Sequence, residues 1–301
     1  VSEFAAAVLR PGDVLAMEEP GYQRAVAALR AAGVEVLGVP VNEQGVVVEA
    51  IPRHVRAVYC SPAHQYPLGG KMSAARRVEL VERARQHGWL LVEDDYDGEL
   101  RYDVAPLPLL AALAPDVVVH LGTTSKIFTS TLGAGWMVAP GAVINAVIAY
   151  RERTGIAPAV AGQRVLVELA NNGDLARHLR RVRRELSERR ELVRSTLASN
   201  GHQVLGDDAG AHVVLLLPDL ATERWVLARA QRSGIRLDGL QRHFVARQTW
   251  YGIAIGYTAC TREQLDYALV ELLRILGAAG AAATRAGTPR GPRGIPAPTD
   301  R

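Results

Sequence analysis

Short apolar runs alternate with amphipathic helical stretches through the first half of the chain, and this alternation constrains the fold more than any other feature. VLAMEE, from Val14, gives way to a helical pattern between Tyr22 and Ala32; VEVLGVPV follows; AVYCSP precedes a helix from Ala74 to His87; then come WLLVEDD, VVVHLGTTS and GWMVAP. Continuous apolar strands separated by helices are the mark of an α/β fold, a mostly parallel sheet covered by helices on both faces. With 301 residues, 49% of them hydrophobic, the chain has enough apolar material for one large α/β domain with a smaller companion, which excludes a disordered or fibrous protein.

After about Ile144 the pattern changes to long helices. One of them, HLRRVRRELSERRELVRSTL, keeps Leu179, Val182, Leu186, Leu192 and Val193 at a rough helical spacing and fills the remaining positions with arginine. A solvated or domain-connecting helix is expected there rather than a DNA-binding one. AHVVLLLPD, GIRLDGL and YGIAIGYTA then read as strands, with helices from Glu223 to Ser233 and from Arg262 to Leu276, giving a smaller C-terminal α+β unit. The division expected is a large domain over 1–145, connecting helices and a small domain over 146–276, and a disordered tail over 277–301, where Ala, Gly, Pro and Arg mix without periodicity. The chain opens on Val1 in VSEFAAAVLRPGD, which reads as a helix already under way, so an N-terminal truncation is expected.

A formal charge of +4, from 35 basic and 31 acidic residues, is a slight excess over a large surface and gives little support to nucleic-acid binding. Two cysteines, Cys60 and Cys260, far apart and in apolar or small-residue settings, fit reduced thiols in a cytoplasm better than a disulfide scaffold, and no metal site is indicated. Neither a membrane-spanning apolar run nor a signal peptide is expected.

Parallel sheets place ligands beyond the carboxyl ends of their strands, and the residues found there are polar. VLAMEE ends in EEPGY, AVYC in SPAHQYP, WLLV in EDDY and VVVHL in GTTSK, so one lysine, adjacent carboxylates, hydroxyls and tyrosines are expected to line one crevice. Lys126 by itself is most simply a solvated charge at a strand end. Beside a carboxylate and small hydroxyls that can cradle a phosphate, it is also what a pyridoxal phosphate protein needs: an amine to form the Schiff base and an acid to pair with the pyridine nitrogen.

EEPGY, SPAHQYPLG, VEDDYDGELRYD and LGTTSK, in that order, resemble the aminotransferase-like domain of MocR-type regulators of the GntR family, relatives of class I/II aminotransferases with the fold type I pyridoxal phosphate architecture; the similarity runs from about Glu3 to Leu276. The resemblance implies that residues 1–145 are the cofactor-binding large domain and that Lys126 is the Schiff-base lysine. It further implies that Asp94 holds the pyridine nitrogen protonated, Tyr96 hydrogen-bonds the cofactor's phenolic oxygen, and Tyr22 stacks on the ring. Thr123 and Ser125 match phosphate ligands at the start of a following helix, where backbone amides favour an anion; Ser125 as a plain N-cap is the simpler alternative. His64 is placed with the cofactor residues, in the loop where ordinary aminotransferases carry an asparagine and this chain carries Tyr66, an aromatic of the kind usual in the regulators. Arg24 is a candidate for a substrate carboxylate, with an ordinary surface arginine equally open.

Two departures from the family pattern stand out. Gly133, seven residues after Lys126, replaces an arginine that reaches the cofactor phosphate, a loss of roughly 1.5–3 kcal/mol if nothing compensates. An arginine that clamps a substrate carboxylate falls near Ala254 and is absent too. The resemblance further implies a homodimer, an amino acid or amine ligand, and contact with DNA only through a winged-helix domain that this chain lacks. The expected function is therefore the effector-sensing part of a MocR-type transcriptional regulator, with a catalytically active amino acid aminotransferase and a degenerate fragment without cofactor as alternatives.

Overall fold

The computed structural model describes residues 1–102 and 108–285. In chain order they form α1 (Ser2–Val8), β1 (Val14–Glu19), α2 (Gln23–Ala31), β2 (Glu35–Asn42), β3 (Gly45–Val46), β4 (Ala57–Cys60), α3 (Ala74–His87), β5 (Leu90–Asp95), α4 (Leu110–Leu113), β6 (Val118–Thr123) and β7 (Gly135–Val138). Then come α5 (Gly141–Thr154), α6 (Val160–Asn171), α7 (Asp174–Ser199), β8 (Val204–Leu205), β9 (His212–Leu216), α8 (Leu220–Arg232), β10 (Asp238–Gly239), β11 (Gly252–Gly256) and α9 (Arg262–Arg285). Asp103, the last residue of the VEDDYDGELRYD motif, lies outside the described residues.

The first half builds a seven-stranded sheet of order β3-β2-β1-β4-β5-β6-β7. Its five central strands are parallel, while the short β3 and β7 run antiparallel at the two edges. Side chains alternate across each strand, and this alternation separates two cores. Leu15, Met17, Ala57, Tyr59, Val92, Val119 and Leu121 face the layer that holds Phe4 of α1, Val26 and Leu29 of α2 and Val143 of α5. Ala16, Val58, Cys60, Leu91 and Val118 face Leu80, Val81 and Ala84 of α3. Helix α3 has the bounds read from the sequence, and the reasons are local: the Ser73 hydroxyl accepts from the Arg76 amide at 3.2 Å, and Gly88 ends the helix in the left-handed region at φ +71°.

A second sheet, order β10-β11-β9-β8, is wholly antiparallel. Val213, Leu215, Ile253 and Ile255 pack there against Val226 of α8, Leu186, Val193 and Leu197 of α7, and Leu265, Leu269 and Leu272 of α9. The basic helix α7 is not merely solvated. Arg189 donates to the carbonyls of Tyr257 and Cys260 at 3.0 and 2.6 Å, and buried Arg190 donates to the Gly206 carbonyl at 3.1 Å and pairs with Asp208 at 2.6 Å.

Three sequence expectations differ from the structure. VVVHLGTTSK does not run into a helix: the Thr124 amide and hydroxyl both donate to the Ala134 carbonyl, at 3.1 and 2.9 Å, closing the segment into a loop that returns as antiparallel β7. GIRLDGL contributes only Asp238 and Gly239 to a ladder. The tail expected from Gly277 instead continues α9 to Arg285, since GAAGAAATR is rich in the best helix former and extends a helix already nucleated; from 286 onward that expectation lies outside the described residues.

Leu91, fully buried in the parallel strand β5, reports on the larger core. Leu91→Ala is expected to lower unfolding free energy by about 2–5 kcal/mol, read as a lower midpoint in chemical denaturation.

Candidate functional site

Beyond the carboxyl ends of the parallel strands lies a cavity of about 580 Å³ lined by Val1, Tyr22, Arg24, Tyr66, Asp94, Tyr96, Leu121, Gly122, Thr123, Ser125, Lys126 and Ser130. Strand parity explains who reaches it. Val92 and Val119 face the α1–α2–α5 layer, so two residues on Asp94 shares that face, and Leu121 and Thr123 extend it. Asp95 falls on the opposite side, packed so closely over Gly98 that a Cβ there would lie 2.4 Å from its Oδ1. Lys126 and Ser125 are exposed in the turn after β6, where the Thr123 hydroxyl donates to the Ser125 hydroxyl at 2.9 Å and accepts from the Ser125 amide at 3.2 Å. With no helix following, these two hydroxyls have no helix terminus behind them.

Asp94 is held from below. The Tyr59 hydroxyl, on neighbouring β4, donates to its Oδ2 at 2.5 Å. Burial pushes the Asp94 carboxyl above its ordinary range, and the Tyr59 hydrogen bond offsets part of that. Three tyrosines form one wall: Tyr66 sits edge-on to Tyr22 and to Tyr96, with ring centroids 5.8 and 5.9 Å apart. Tyr66 also reaches toward Asp238 of the second sheet at 3.5 Å, and burial, reinforced by that carboxylate, pushes its hydroxyl up to about 12. Arg24 stands exposed in the first turn of α2, at the rim.

The loop that carries Tyr66 is fixed by residues whose part the sequence did not disclose. Gln65 donates to the Pro20 carbonyl at 2.8 Å and accepts from the Leu68 amide at 3.0 Å, joining the loops after β1 and β4. Arg77, from α3, donates to the carbonyls of Pro62, Met72 and Pro108. Glu18, buried, accepts from the Ser61 amide at 3.0 Å while its Oε1 finds no hydrogen-bond partner among the described residues. Tyr59 lay inside an apolar strand run; the signal that could have exposed it is that a buried tyrosine hydroxyl needs a partner.

Seven of the eight residues singled out in the sequence therefore line one cavity, among them Lys126 and Asp94. His64 does not: it is buried behind Tyr96, bonded to Asp97. Ala254, the expected arginine position, is buried with Val214 and Leu240 and lines no part of the cavity. Gly133 lies at φ +63°, ψ +23°, a left-handed conformation that an arginine would adopt only under strain.

A seven-stranded, mostly parallel sheet with a lysine and an aspartate lining one cavity beyond its strand ends is the fold type I architecture of pyridoxal phosphate-dependent transferases. Over residues 1–272 the chain matches the family model for aminotransferase class I and II, and it belongs to that family. Its similar relatives include the HTH-type pyridoxine biosynthesis transcriptional regulator PdxR of Corynebacterium glutamicum, 34% identical over 259 residues covering 86% of this chain and 57% of the relative. The probable rhizopine catabolism regulatory protein MocR of Rhizobium meliloti is 31% identical over 252 residues, 82% of this chain and 51% of the relative. The chain thus spans little more than half the length of these regulators. Among solved structures, Pyrococcus horikoshii kynurenine aminotransferase, in complex with PMP, superposes with a TM-score of 0.83 at 26% identity, over 92% of this chain and 72% of that one. Among the described residues, no helix is long and apolar enough to cross a membrane.

Burial raises the Glu18 carboxyl from 4.5 to about 7. The folded protein therefore holds a proton that the unfolded chain has lost, so this stabilisation is complete below pH 4.5 and is lost as pH rises toward 7. Asp95, raised by burial to about 6, and Asp94 contribute with the same sign. Glu18→Gln is expected to remove roughly 3 kcal/mol of that decline, seen as a flatter dependence of unfolding free energy on pH between 4.5 and 7.

Proposed function

We propose that the cavity binds pyridoxal 5′-phosphate and that the chain is the effector-sensing part of a MocR-type transcriptional regulator. The observation that carries the reading is that Lys126 and Asp94, which come from different strand ends, line the same cavity. The donor set fits the group: an exposed amine for covalent attachment, a carboxylate held in place by Tyr59 for the ring nitrogen, and two hydroxyls, Thr123 and Ser125, for the phosphate. When bound, the cofactor supplies a ring that withdraws electrons from whatever amine is attached to it.

The chain's own residues have separate parts in this reading. Lys126 would hold the cofactor through its side-chain amine, and that amine is the group that would serve as base toward a bound amine ligand. Asp94 would hold a proton on the ring nitrogen, Tyr22 would supply an aromatic surface for the ring, Tyr96 would hydrogen-bond its phenolic oxygen, and Arg24 would receive an acidic group on the ligand. Sensing is favoured over turnover by the apolar burial of Ala254 and by Gly133, since two cationic anchors for substrate and phosphate are missing. The HTH-type name of PdxR, and the greater lengths of both PdxR and MocR, support a longer regulator in which a helix-turn-helix domain contacts DNA. Pairing with a second copy is supported by exposed apolar side chains, Trp136, Val138, Ile148, Val160 and Val167, on β7, α5 and α6.

Purified protein mixed with pyridoxal phosphate and then freed of unbound cofactor is expected to retain a yellow absorbance band that Lys126→Ala abolishes; a wild-type protein that comes through colourless sinks the reading. Asp94→Asn is expected to retain attachment but to weaken cofactor affinity at least tenfold, the loss of about 1.5–3 kcal/mol from a charged hydrogen bond, measured by titrating the same band.

A further inference from the structure

His64 is the sequence-predicted site residue that the cavity does not reach, and its surroundings give it a different part. It is 2% exposed, and its Nδ1 lies 2.8 Å from Asp97 Oδ2 and 3.0 Å from the Tyr96 phenolic oxygen. Its Nε2 has no hydrogen-bond partner among the described residues. The ring fits only because residue 210 is glycine, at φ +81°; a Cβ there would fall 2.1 Å from His64 Cε1.

Two independent considerations locate the ring proton. The Asp97 side chain is wholly shielded, and a carboxylate only accepts hydrogen bonds, so the nitrogen facing it has to donate. The partnerless nitrogen is better left bare than protonated, because a buried orphan N–H is rarer and costlier than a buried orphan acceptor. Both place the proton on Nδ1. The Tyr96 oxygen, sharing that same N–H, is then an acceptor toward His64, and its own hydroxyl proton is left for a different partner. Tyr96 lines the cavity, and burial pushes its hydroxyl well above the ordinary range, so the proton stays on it.

We infer that the buried His64–Asp97 pair is a positioning device that fixes Tyr96 as a hydrogen-bond donor into the cavity, selecting an electron-rich oxygen as the ligand group opposite it. This rests on the reading of the cavity as a pyridoxal phosphate site, whose phenolic oxygen is such a group. The pair is faced by His212 from β9, Asp207 from the turn before it, Tyr66, Asp94 and Glu18. His212 is held uncharged, its pKa lowered to about 4 by burial, and its Nε2 donates to the Pro67 carbonyl at 2.8 Å. It therefore offers the pair no competing charge near neutral pH.

The test has one arm without cofactor and one with it. In the wild-type protein alone, nitrogen NMR of the His64 ring is expected to show a protonated Nδ1 and a bare Nε2; the opposite tautomer overturns the inference whether or not the protein binds cofactor. Asp97→Asn, whose amide nitrogen can donate to Nδ1, is expected to weaken the preference for that tautomer, and Asp97→Glu to preserve it. With pyridoxal phosphate added, the pH at which the visible band changes is expected to rise by about one unit in Asp97→Asn. Tyr96→Phe should produce the same rise, and the double variant should add nothing to it. A band that titrates as in wild type in Asp97→Asn while Tyr96→Phe shifts it overturns the inference. A wild-type protein that gives no band sinks the cofactor reading instead, and the NMR arm still decides this one.

Discussion

Five adjacent strands run the same way, and the disposition of polar residues in the first half of the chain follows from that. Each strand delivers its following loop to one edge of the sheet, and the pleat then decides which of two neighbouring residues reaches the cavity. Asp94 and Asp95 show the effect most clearly. Chemically identical and adjacent, they part because one continues the row of Val92 and the other does not. A one-residue slip of β5 against β4 would exchange them and separate Asp94 from Tyr59. The apolar burial of β4, β5 and β6 is therefore what specifies the position of a carboxylate.

Much of this was legible in the sequence, because apolar runs and helical periodicity report burial directly. The α/β class, the bounds of α3 and the convergence of Tyr22, Asp94, Tyr96, Thr123, Ser125 and Lys126 all follow from which residues close each run. What stayed hidden depends on pairings across the chain. Tyr59 looks like one more apolar strand residue until β5 is laid beside β4, and Gln65 looks like a loop residue until Pro20 is brought to it. The return of the chain after Lys126 was hidden for a related reason. A small-hydroxyl turn is compatible with a helix start, and only the capture of the Ala134 carbonyl by Thr124 decides against it. His64 sits in the right loop but is buried behind Tyr96 without lining the cavity, which loop membership alone does not reveal.

The arginines illustrate a similar divide between composition and placement. Their density on α7 reads as a solvated face, yet Arg189 and Arg190 are occupied with carbonyls of the loops around the second sheet. Where the family pattern calls for arginines, at 133 and 254, the backbone and the packing have accommodated their absence: one position is a left-handed turn, the other a filled apolar pocket. Restoring either guanidinium would demand local rebuilding rather than a simple exchange of side chains.

The end of β1 is gripped by the second unit. The Glu19 carboxylate accepts the amides of Val245 and Ala246, and Gly21 exchanges backbone and ring hydrogen bonds with His243, whose Nε2 meets Asp238. Tyr22 follows Gly21 directly, and Tyr66 leans on both His243 and Asp238. The aromatic wall is thus hinged jointly to the two sheets, and tilting the C-terminal unit would drag that wall with it, turning occupancy of a small chamber into a lever acting on the bulk of the molecule.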